Sequence, residues 1–215
     1  MKTPIDAAAQ LAITTLTSRA PEATELASLF KSAGYKLALV GGPVRDAILG
    51  RLGNDLDFTT DAHPKDCEKI LNKWADSVWD IGAAFGTVAG KKGEITVEVT
   101  TYRSESYDSS SRKPNVEFGK TIEGDLARRD FTINAMALEL TTPEPTFIDL
   151  FNGVADLQNK LIKTPGKAEE SFSDDPLRMM RAARFMSQLN FEIDPSVLVA
   201  IKSMATRLEI ISFER

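Results

Sequence analysis

Several features that mark particular classes of protein are missing from this 215-residue chain. Cys67 is its one cysteine, which excludes an internal disulfide and fits a reducing cytoplasm. His63 is its one histidine, which argues against histidine-based catalysis and against a zinc site. No apolar run approaches the roughly 20 residues of a membrane span, and residues 1–10 lack the basic and apolar regions of a signal peptide. We therefore expect a cytoplasmic protein with no membrane partner.

A basic excess, which usually marks a nucleic-acid-binding surface, is missing too. The chain has 26 lysine and arginine residues against 31 aspartate and glutamate residues, which gives a net charge of −5. Hydrophobic residues at 42% are enough for a core, and charged residues at 27% are ordinary for a globular protein. The composition argues against RNA binding over the whole surface but allows a local basic pocket.

Apolar periodicity, glycines and prolines divide the chain into predicted helices and strands. Helices are predicted at residues 3–33 (as a pair), 43–50, 65–75, 128–138, 174–190 and 195–206. Strands are predicted at residues 35–40, 56–59, 87–89, 95–102 and 147–150. The polar residues 104–117 are predicted to form a mobile loop. Ser212 resembles the N-cap of another helix, so we expect the chain to be a fragment of a longer helical protein.

The first candidate site is a glycine turn between a predicted strand and a predicted helix. Gly41 and Gly42 would let the backbone approach a ligand closely, and the N-terminus of the following helix would favour an anion. Arg45 would add a charge-assisted contact to phosphate. The alternative is an ordinary strand-to-helix turn that binds nothing.

The second candidate site is an acidic pair, Asp55 and Asp57, on the next predicted strand. Residues two apart on a strand face the same side with Cα atoms about 7 Å apart, so the two carboxylates could bind one or two Mg²⁺ ions. Glu98 interrupts an apolar, β-branched strand and could supply a third acid. Two-metal phosphoryl transfer uses such a cluster. The alternatives are a solvated acidic turn for the aspartates and an outward, solvated side chain for Glu98.

Two arginine-containing segments complete the candidates, and the first surrounds Arg129. On the predicted helix, Asp130 and Asn134 would share one face, where both could hydrogen-bond ribose hydroxyls. Arg129 could bind a triphosphate. The alternative is an amphipathic helix with surface ion pairs.

The second arginine-containing segment follows a pair of aspartates. Arg178, Arg181 and Arg184 recur every three residues, so they would form a cationic strip that needs anions or acids opposite. Asp175 and Arg178 could act as one unit that offers an acceptor and donors to the edge of a base. The alternative role for Asp174 and Asp175 is to stabilise the N-terminus of the helix.

Taken together, these segments resemble the class II CCA-adding enzyme (tRNA nucleotidyltransferase) and bacterial poly(A) polymerase family. The similar motifs occur in the family's order from about residue 37 onward and are GGPVRD with DLD, EVTTYR, RRDFTINAM, DLFNGVADL and DDPLRMMRAARF. The resemblance implies an α+β fold, in which a nucleotidyltransferase head with a small mixed sheet flanked by helices precedes an all-helical neck. We expect an N-terminal helical segment at 1–34, the head at 35–150 and the neck at 151–215.

The resemblance also implies a role for each candidate residue. The implied metal ligands and third acid are Asp55, Asp57 and Glu98. The implied contacts to nucleotide phosphate or sugar are Gly42, Arg45, Arg129 and Asp130, the last helping to select ribose. The residues implied to pair with cytosine and adenine are Asp175 and Arg178, braced by the phosphate-holding Arg181 and Arg184.

The activity that the resemblance implies is Mg²⁺-dependent, template-independent transfer of CMP and AMP from CTP and ATP to the 3′ end of tRNA. Residues 104–117 correspond to a flexible loop that the family associates with the switch from C to A addition, which favours CCA addition. The alternatives are a poly(A) polymerase of the same family and a non-catalytic nucleotide-binding module. Because the family's helical body and tail have no counterpart here, we expect this chain to bind tRNA weakly.

Overall fold

The computed structural model describes residues 3–82, 86–106, 115–119 and 121–210. Its helices are α1 Pro4–Arg19, α2 Glu22–Ser32, α3 Gly42–Ile48, α4 Pro64–Trp74, α5 Ile122–Ala127, α6 Gly153–Gln158, α7 Ala168–Asp174, α8 Leu177–Leu189 and α9 Pro195–Met204. Its strands are β1 Leu37–Val40, β2 Asp55–Thr60, β3 Ser77–Gly82, β4 Thr87–Lys92, β5 Ile95–Thr101, β6 Arg103–Ser106, β7 Asn115–Phe118, β8 Met136–Glu139, β9 Thr146–Asp149, β10 Leu161–Ile162 and β11 Glu192–Ile193. Two 3₁₀ helices cover Thr132–Asn134 and Ala205–Ile210.

A mixed sheet of seven strands positions the candidate site. Its order is β3-β4-β5-β2-β1-β8-β9, in which β2 and β5 are parallel neighbours and the other neighbours are antiparallel. The parallel pairing sets Asp57 directly opposite Glu98. The predicted α+β fold, with a mixed sheet flanked by helices, is therefore confirmed.

Strand β1 is buried along its whole length because helices cover both faces of the sheet at this point. Leu37 and Leu39 join the main core with the apolar faces of α1 to α4. Ala38 and Val40 point the other way and join a smaller cluster under α5. The alternation follows from the two-residue period of a strand.

The face that α5 covers is only partly closed. In β2, Leu56 and Phe58 belong to the main core, so Asp55 and Asp57 lie on the opposite face. Both aspartates are exposed, as is Glu98. The short helix α5 therefore leaves an open cleft over the acidic side chains.

The predicted neck segment packs α7, α8 and α9 around a cluster that includes Phe172 and Val197. It is not wholly helical, since β10 and β11 pair as a two-residue parallel ladder within it. Within the described ranges, no helix combines the length and the apolar character that crossing a bilayer demands.

The helix predicted at 128–138 is wrong. Helix α5 ends at Ala127, a 3₁₀ turn follows, and Met136–Glu139 forms strand β8. Antiparallel pairing with β1 holds this segment in the sheet and sends Met136 and Leu138 into the main core. Tertiary pairing thus overrides the helix preference of alanine, methionine and leucine.

Two further predictions need correction. The ends of the polar segment are not loop, because β6 and β7 pair antiparallel there through backbone groups that need no apolar side chains. Residues 107–114, the middle of that segment, and Ser212 lie outside the described residues. Strand β3, a sheet edge with Trp79 exposed, was not predicted at all.

Candidate active site

The acidic side of the cleft consists of Asp55, Asp57 and Glu98, which the sheet brings together as predicted. Asp57 and Glu98 line the same cavity, and Asp55 lies two residues from Asp57 on the same face of β2. Although Asp57 is open to the cleft, the surrounding protein partly desolvates it and raises its pKa from 3.8 to about 6. Glu98 raises the pKa further, Arg129 lowers it, and Asp55 adds a smaller rise. The fold therefore disfavours the ionised form of Asp57.

The donor set fits a divalent cation. Carboxylate oxygens are the ligands that Mg²⁺ prefers in proteins, and the unfavourable ionisation of Asp57 is what a bound cation would relieve. Within the part of the chain that the structure describes, no group of three acidic, histidine or cysteine side chains is placed to hold a metal ion by itself. An ion held by Asp55 and Asp57 would therefore take its remaining ligands from water and phosphate oxygens, as Mg²⁺ commonly does in nucleotide sites.

The basic side of the cleft is built on α5 and the residues that follow it. Arg128 donates to Asp125 from Nε at 3.1 Å and from Nη2 at 2.7 Å, and Arg129 donates to the same carboxylate from Nη2 at 3.2 Å. Both arginines line the cavity. Arg129 also runs so close to Gly41 that a Cβ there would lie 2.7 Å from Nη1. Gly41 has φ +72°, so the turn needs glycine both for its backbone and for its lack of a side chain.

A hydrogen-bonded chain runs from Arg45 to the predicted neck. Arg45 donates from Nη1 to Asn134 at 2.7 Å, and Asn134 donates from Nδ2 to Asp130 at 3.0 Å. Arg181 closes the chain with an ion pair from Nη2 to Asp130 at 2.7 Å. Arg45 also pairs with Asp46 at 2.9 Å. Asp130 and Asn134 were predicted to share a helix face; they lie together across a 3₁₀ turn instead, and they bond to each other.

Some side chains of α8 and of the residues just before it reach the cavity, and others do not. Asp175, Arg178 and Arg181 line it, whereas Arg184 is exposed and does not. Arg178 is buried and donates to Ser171 Oγ at 2.8 Å and to the carbonyl of Arg128 at 2.6 Å. The roles of these residues in base recognition stay predictions.

Asp174 and Asp175 were both considered for the N-terminus of the long helix, but only Asp175 lies there. Asp174 is the last residue of α7, so it does not begin the long helix α8. Asp175 accepts a hydrogen bond from the backbone N–H of Leu177 at 3.0 Å, which stabilises the N-terminus of α8. The helix-capping alternative thus describes one of the two aspartates.

Two candidate phosphate contacts lie beside the cavity rather than on its walls. Gly42 is half-buried in the first turn of α3, and Arg45 is buried with its guanidinium bound to Asp46 and Asn134. In this arrangement Arg45 braces the glycine turn. Its contact with phosphate stays a prediction, as does that of Gly42.

The cleft between the two sides encloses about 500 Å³, within the range of a small-molecule site. Its described lining is Val40, Asp57, Phe58, Thr87, Glu98, Thr100, Arg103, Arg128, Arg129, Asp130, Asp175, Arg178 and Arg181. A lining that combines acidic side chains with arginines suits a ligand that carries phosphate groups beside a metal ion.

Sequence reasoning missed several of these residues. Thr87 and Thr100 share a hydrogen bond between their hydroxyls at 2.9 Å in the cavity wall. Thr100 lies two residues after Glu98 on β5, so strand periodicity could have placed it on the same face. Arg128 and Asp125 were visible as an i, i+3 pair on α5, but only the fold shows that Asp125 is fully buried. Arg103 had no signal, since the pairing of β6 with β7 places it.

The model of the poly A polymerase head domain matches residues 37–163. Among curated relatives, the CCA-adding enzyme of Streptococcus suis is 40% identical over 201 residues, which are 93% of this chain and 48% of the relative. The CCA-adding enzyme of Levilactobacillus brevis is 42% identical over 200 residues, 91% of this chain and 49% of the relative. The chain thus spans about half the length of the curated relatives it matches.

Solved structures agree. The Bacillus stearothermophilus CCA-adding enzyme in complex with CTP is similar with a TM-score of 0.76 and 35% identity, covering 99% of this chain and 46% of that one. A tRNA nucleotidyltransferase complexed with a primer tRNA and an incoming ATP analog is similar with a TM-score of 0.71 and 32% identity, covering 85% of this chain and 50% of that one.

Proposed function

Because the chain belongs to the poly A polymerase head domain family, we propose that it is the catalytic part of a CCA-adding enzyme. The reaction is Mg²⁺-dependent transfer of CMP and AMP from CTP and ATP to the 3′ end of tRNA without a template. The observation that carries this proposal is a cavity lined by Asp57 and Glu98 together with arginines that follow α5 and that lie on α8. The similarity to CCA-adding enzymes supports the choice of substrates.

Each side of the cleft has a distinct task in this reaction. Asp55 and Asp57 would hold two Mg²⁺ ions, with Glu98 beside them as the third acid. When bound, the metal ions would supply Lewis-acid activation of the 3′-hydroxyl and neutralise charge on the pyrophosphate leaving group. Arg129 would orient the triphosphate, since its guanidinium reaches the cavity beside the glycine turn. Holding the nucleotide in place supplies much of the acceleration in such sites.

Recognition of the base falls to the neck side of the same cavity. Asp175 and Arg178 would present acceptors and donors to cytosine and adenine. Arg178 is held by Ser171 and by the backbone of Arg128, so its position depends on both parts of the fold. Asp130, tied to Arg181, would contact ribose. A cytoplasmic location, compatible with the single buried Cys67, is part of the same proposal.

Nucleotide binding and transfer test the proposal together. With Mg²⁺, the chain should bind CTP and ATP more tightly than GTP and UTP, and at high RNA concentration it should add CMP to tRNA that lacks its CCA end. Asp55→Asn and Asp57→Asn should abolish transfer while the protein stays folded, whereas Asp66→Asn, on helix α4 outside the cavity, should not.

The products separate the alternatives. AMP addition to RNA without any CMP addition would indicate a poly(A) polymerase. Nucleotide binding without pyrophosphate release, even with saturating RNA, would indicate a non-catalytic module. A wild-type chain that binds no CTP in the presence of Mg²⁺ would contradict the proposal.

A further inference from the structure

Asp125 is a charged side chain that none of the roles above uses, although it is fully buried. It lies in α5 beneath the basic side of the cleft and does not line the cavity. A buried carboxylate is costly unless it is paired and hydrogen-bonded. Here burial alone would raise the pKa of Asp125, but the guanidinium groups of Arg129 and Arg128 outweigh burial and hold the pKa below its usual range. The two arginines therefore favour the ionised form of Asp125 inside the fold.

The two partners of Asp125 both reach the cavity. Arg128 binds one carboxylate oxygen through Nε and Nη2, and Arg129 binds the other through Nη2, at 2.7–3.2 Å. Each arginine side chain is 20% exposed and lines the cavity. One buried carboxylate thus holds two guanidinium groups side by side, where without it their like charges would repel.

Arg129 is constrained on a second side. Its Nη1 occupies the space where a side chain at Gly41 would lie. Arg129 also acts electrostatically on Asp57, which lies on the catalytic face of the sheet and lines the same cavity. If Asp125 lost its charge, Asp57 would become the competing partner for Arg129, at the cost of the metal site.

We propose that Asp125 is a positioning residue, which holds Arg128 and Arg129 toward the phosphates of the incoming nucleotide and keeps Arg129 from pairing with Asp57. This inference rests on the proposed function, since it takes the ligand of the cavity to be a nucleoside triphosphate. It differs from a structural role because it predicts weaker nucleotide binding in a protein that is still folded.

Asp125→Asn and a matched control test this inference in the whole chain. Asp156 is also a buried aspartate, 9% exposed, but its partner is the hydroxyl of Thr132 at 2.6 Å and it lies outside the cavity. We expect Asp125→Asn to raise the dissociation constant of Mg²⁺–CTP by about ten-fold, equal to about 1.4 kcal/mol. Asp156→Asn should change it less than about two-fold at a similar loss of melting temperature. Asp125→Glu, which keeps the charge, should recover most of the lost affinity.

The inference is overturned if Asp125→Asn binds CTP as wild type does, if Asp156→Asn weakens binding equally, or if a folded Asp125→Glu is as defective as Asp125→Asn. A wild-type chain that does not bind CTP would instead contradict the proposed function itself.

If Asp125→Asn does not fold, the same substitution is tested in the double variant Arg128→Gln/Arg129→Gln. The resulting triple variant lacks all three charges, so it leaves no unpaired buried charge. The triple variant should bind CTP as weakly as the double variant. Still weaker binding by the triple variant would show that Asp125 does not act through these arginines.

Discussion

Removing the charge of Asp57 should stabilise the metal-free protein, although it destroys the proposed metal site. Burial and the neighbouring Glu98 raise the pKa of Asp57 to about 6, so the ionised side chain is disfavoured in the folded state. A rise from 3.8 to about 6 corresponds to at most ~3 kcal/mol at 1.36 kcal/mol per unit of pKa. Because the side chain is open to the cleft, water screens most of this, and we expect a gain of about 1 kcal/mol for Asp57→Asn.

The gain from Asp57→Asn should depend on pH in a defined direction. Above pH 6 the folded wild type carries the unfavourable charge, so the variant is the more stable protein. Between about pH 6 and 3.8 the wild type takes up a proton more readily when folded, and the difference shrinks. Below 3.8 both states are protonated and the difference disappears.

Thermal unfolding with EDTA from pH 8 to pH 4 measures this effect. A gain of about 1 kcal/mol shifts the melting temperature by roughly 2–4 °C in a chain of this size. Asp66→Asn is the matched control with the opposite sign, because hydrogen bonds from Lys69 and Tyr35 lower the pKa of Asp66. It should lower the melting temperature at pH 8 and lose its effect in acid. A destabilising or pH-independent effect of Asp57→Asn would refute this electrostatic reasoning.

Two further substitutions have defined outcomes. Gly41→Ala should cost about 1–3 kcal/mol of stability and weaken CTP binding, because its Cβ would displace Arg129. The control Gly34→Ala, at φ +84° but with nothing within 4 Å of its Cβ, should change stability alone. Equal CTP affinity in both variants would contradict this. In urea unfolding, Arg181→Ala should cost about 1–3 kcal/mol of stability by leaving the buried Asp130 without its ion pair. The control Arg184→Ala, at an exposed position, should be close to neutral. A neutral Arg181→Ala would show that the ion pair contributes nothing.

The pair Asp55 and Asp57 could be predicted from the sequence because it follows from strand periodicity alone. Asp55 and Asp57 share a face whichever strands lie beside them. That Glu98 stands opposite Asp57 is a matter of register between two strands distant in sequence, and the residues themselves carry only the hint of a charge in an apolar run. The resemblance to a known family supplied what local physics could not.

The arginine-rich side shows where sequence reasoning fails. Asp130 and Asn134 were expected to share one face of a helix, but the structure brings them together across a 3₁₀ turn that precedes a strand. The residues of that strand favour a helix, and only pairing with β1 decides otherwise. The role of Arg45 as a brace depends on Asn134, 89 residues away, which no local pattern could reveal.

If Asp55 and Asp57 hold the divalent ion while the triphosphate lies along Arg129, a crystal structure of this chain with CTP and Mn²⁺ should show it directly. We expect an anomalous manganese peak within about 2.5 Å of carboxylate oxygens from both aspartates. Phosphate oxygens of CTP should complete its coordination on the side that faces Arg129. Manganese bound away from these two side chains while CTP occupies the cavity, or CTP bound outside the cavity, would contradict the proposed site.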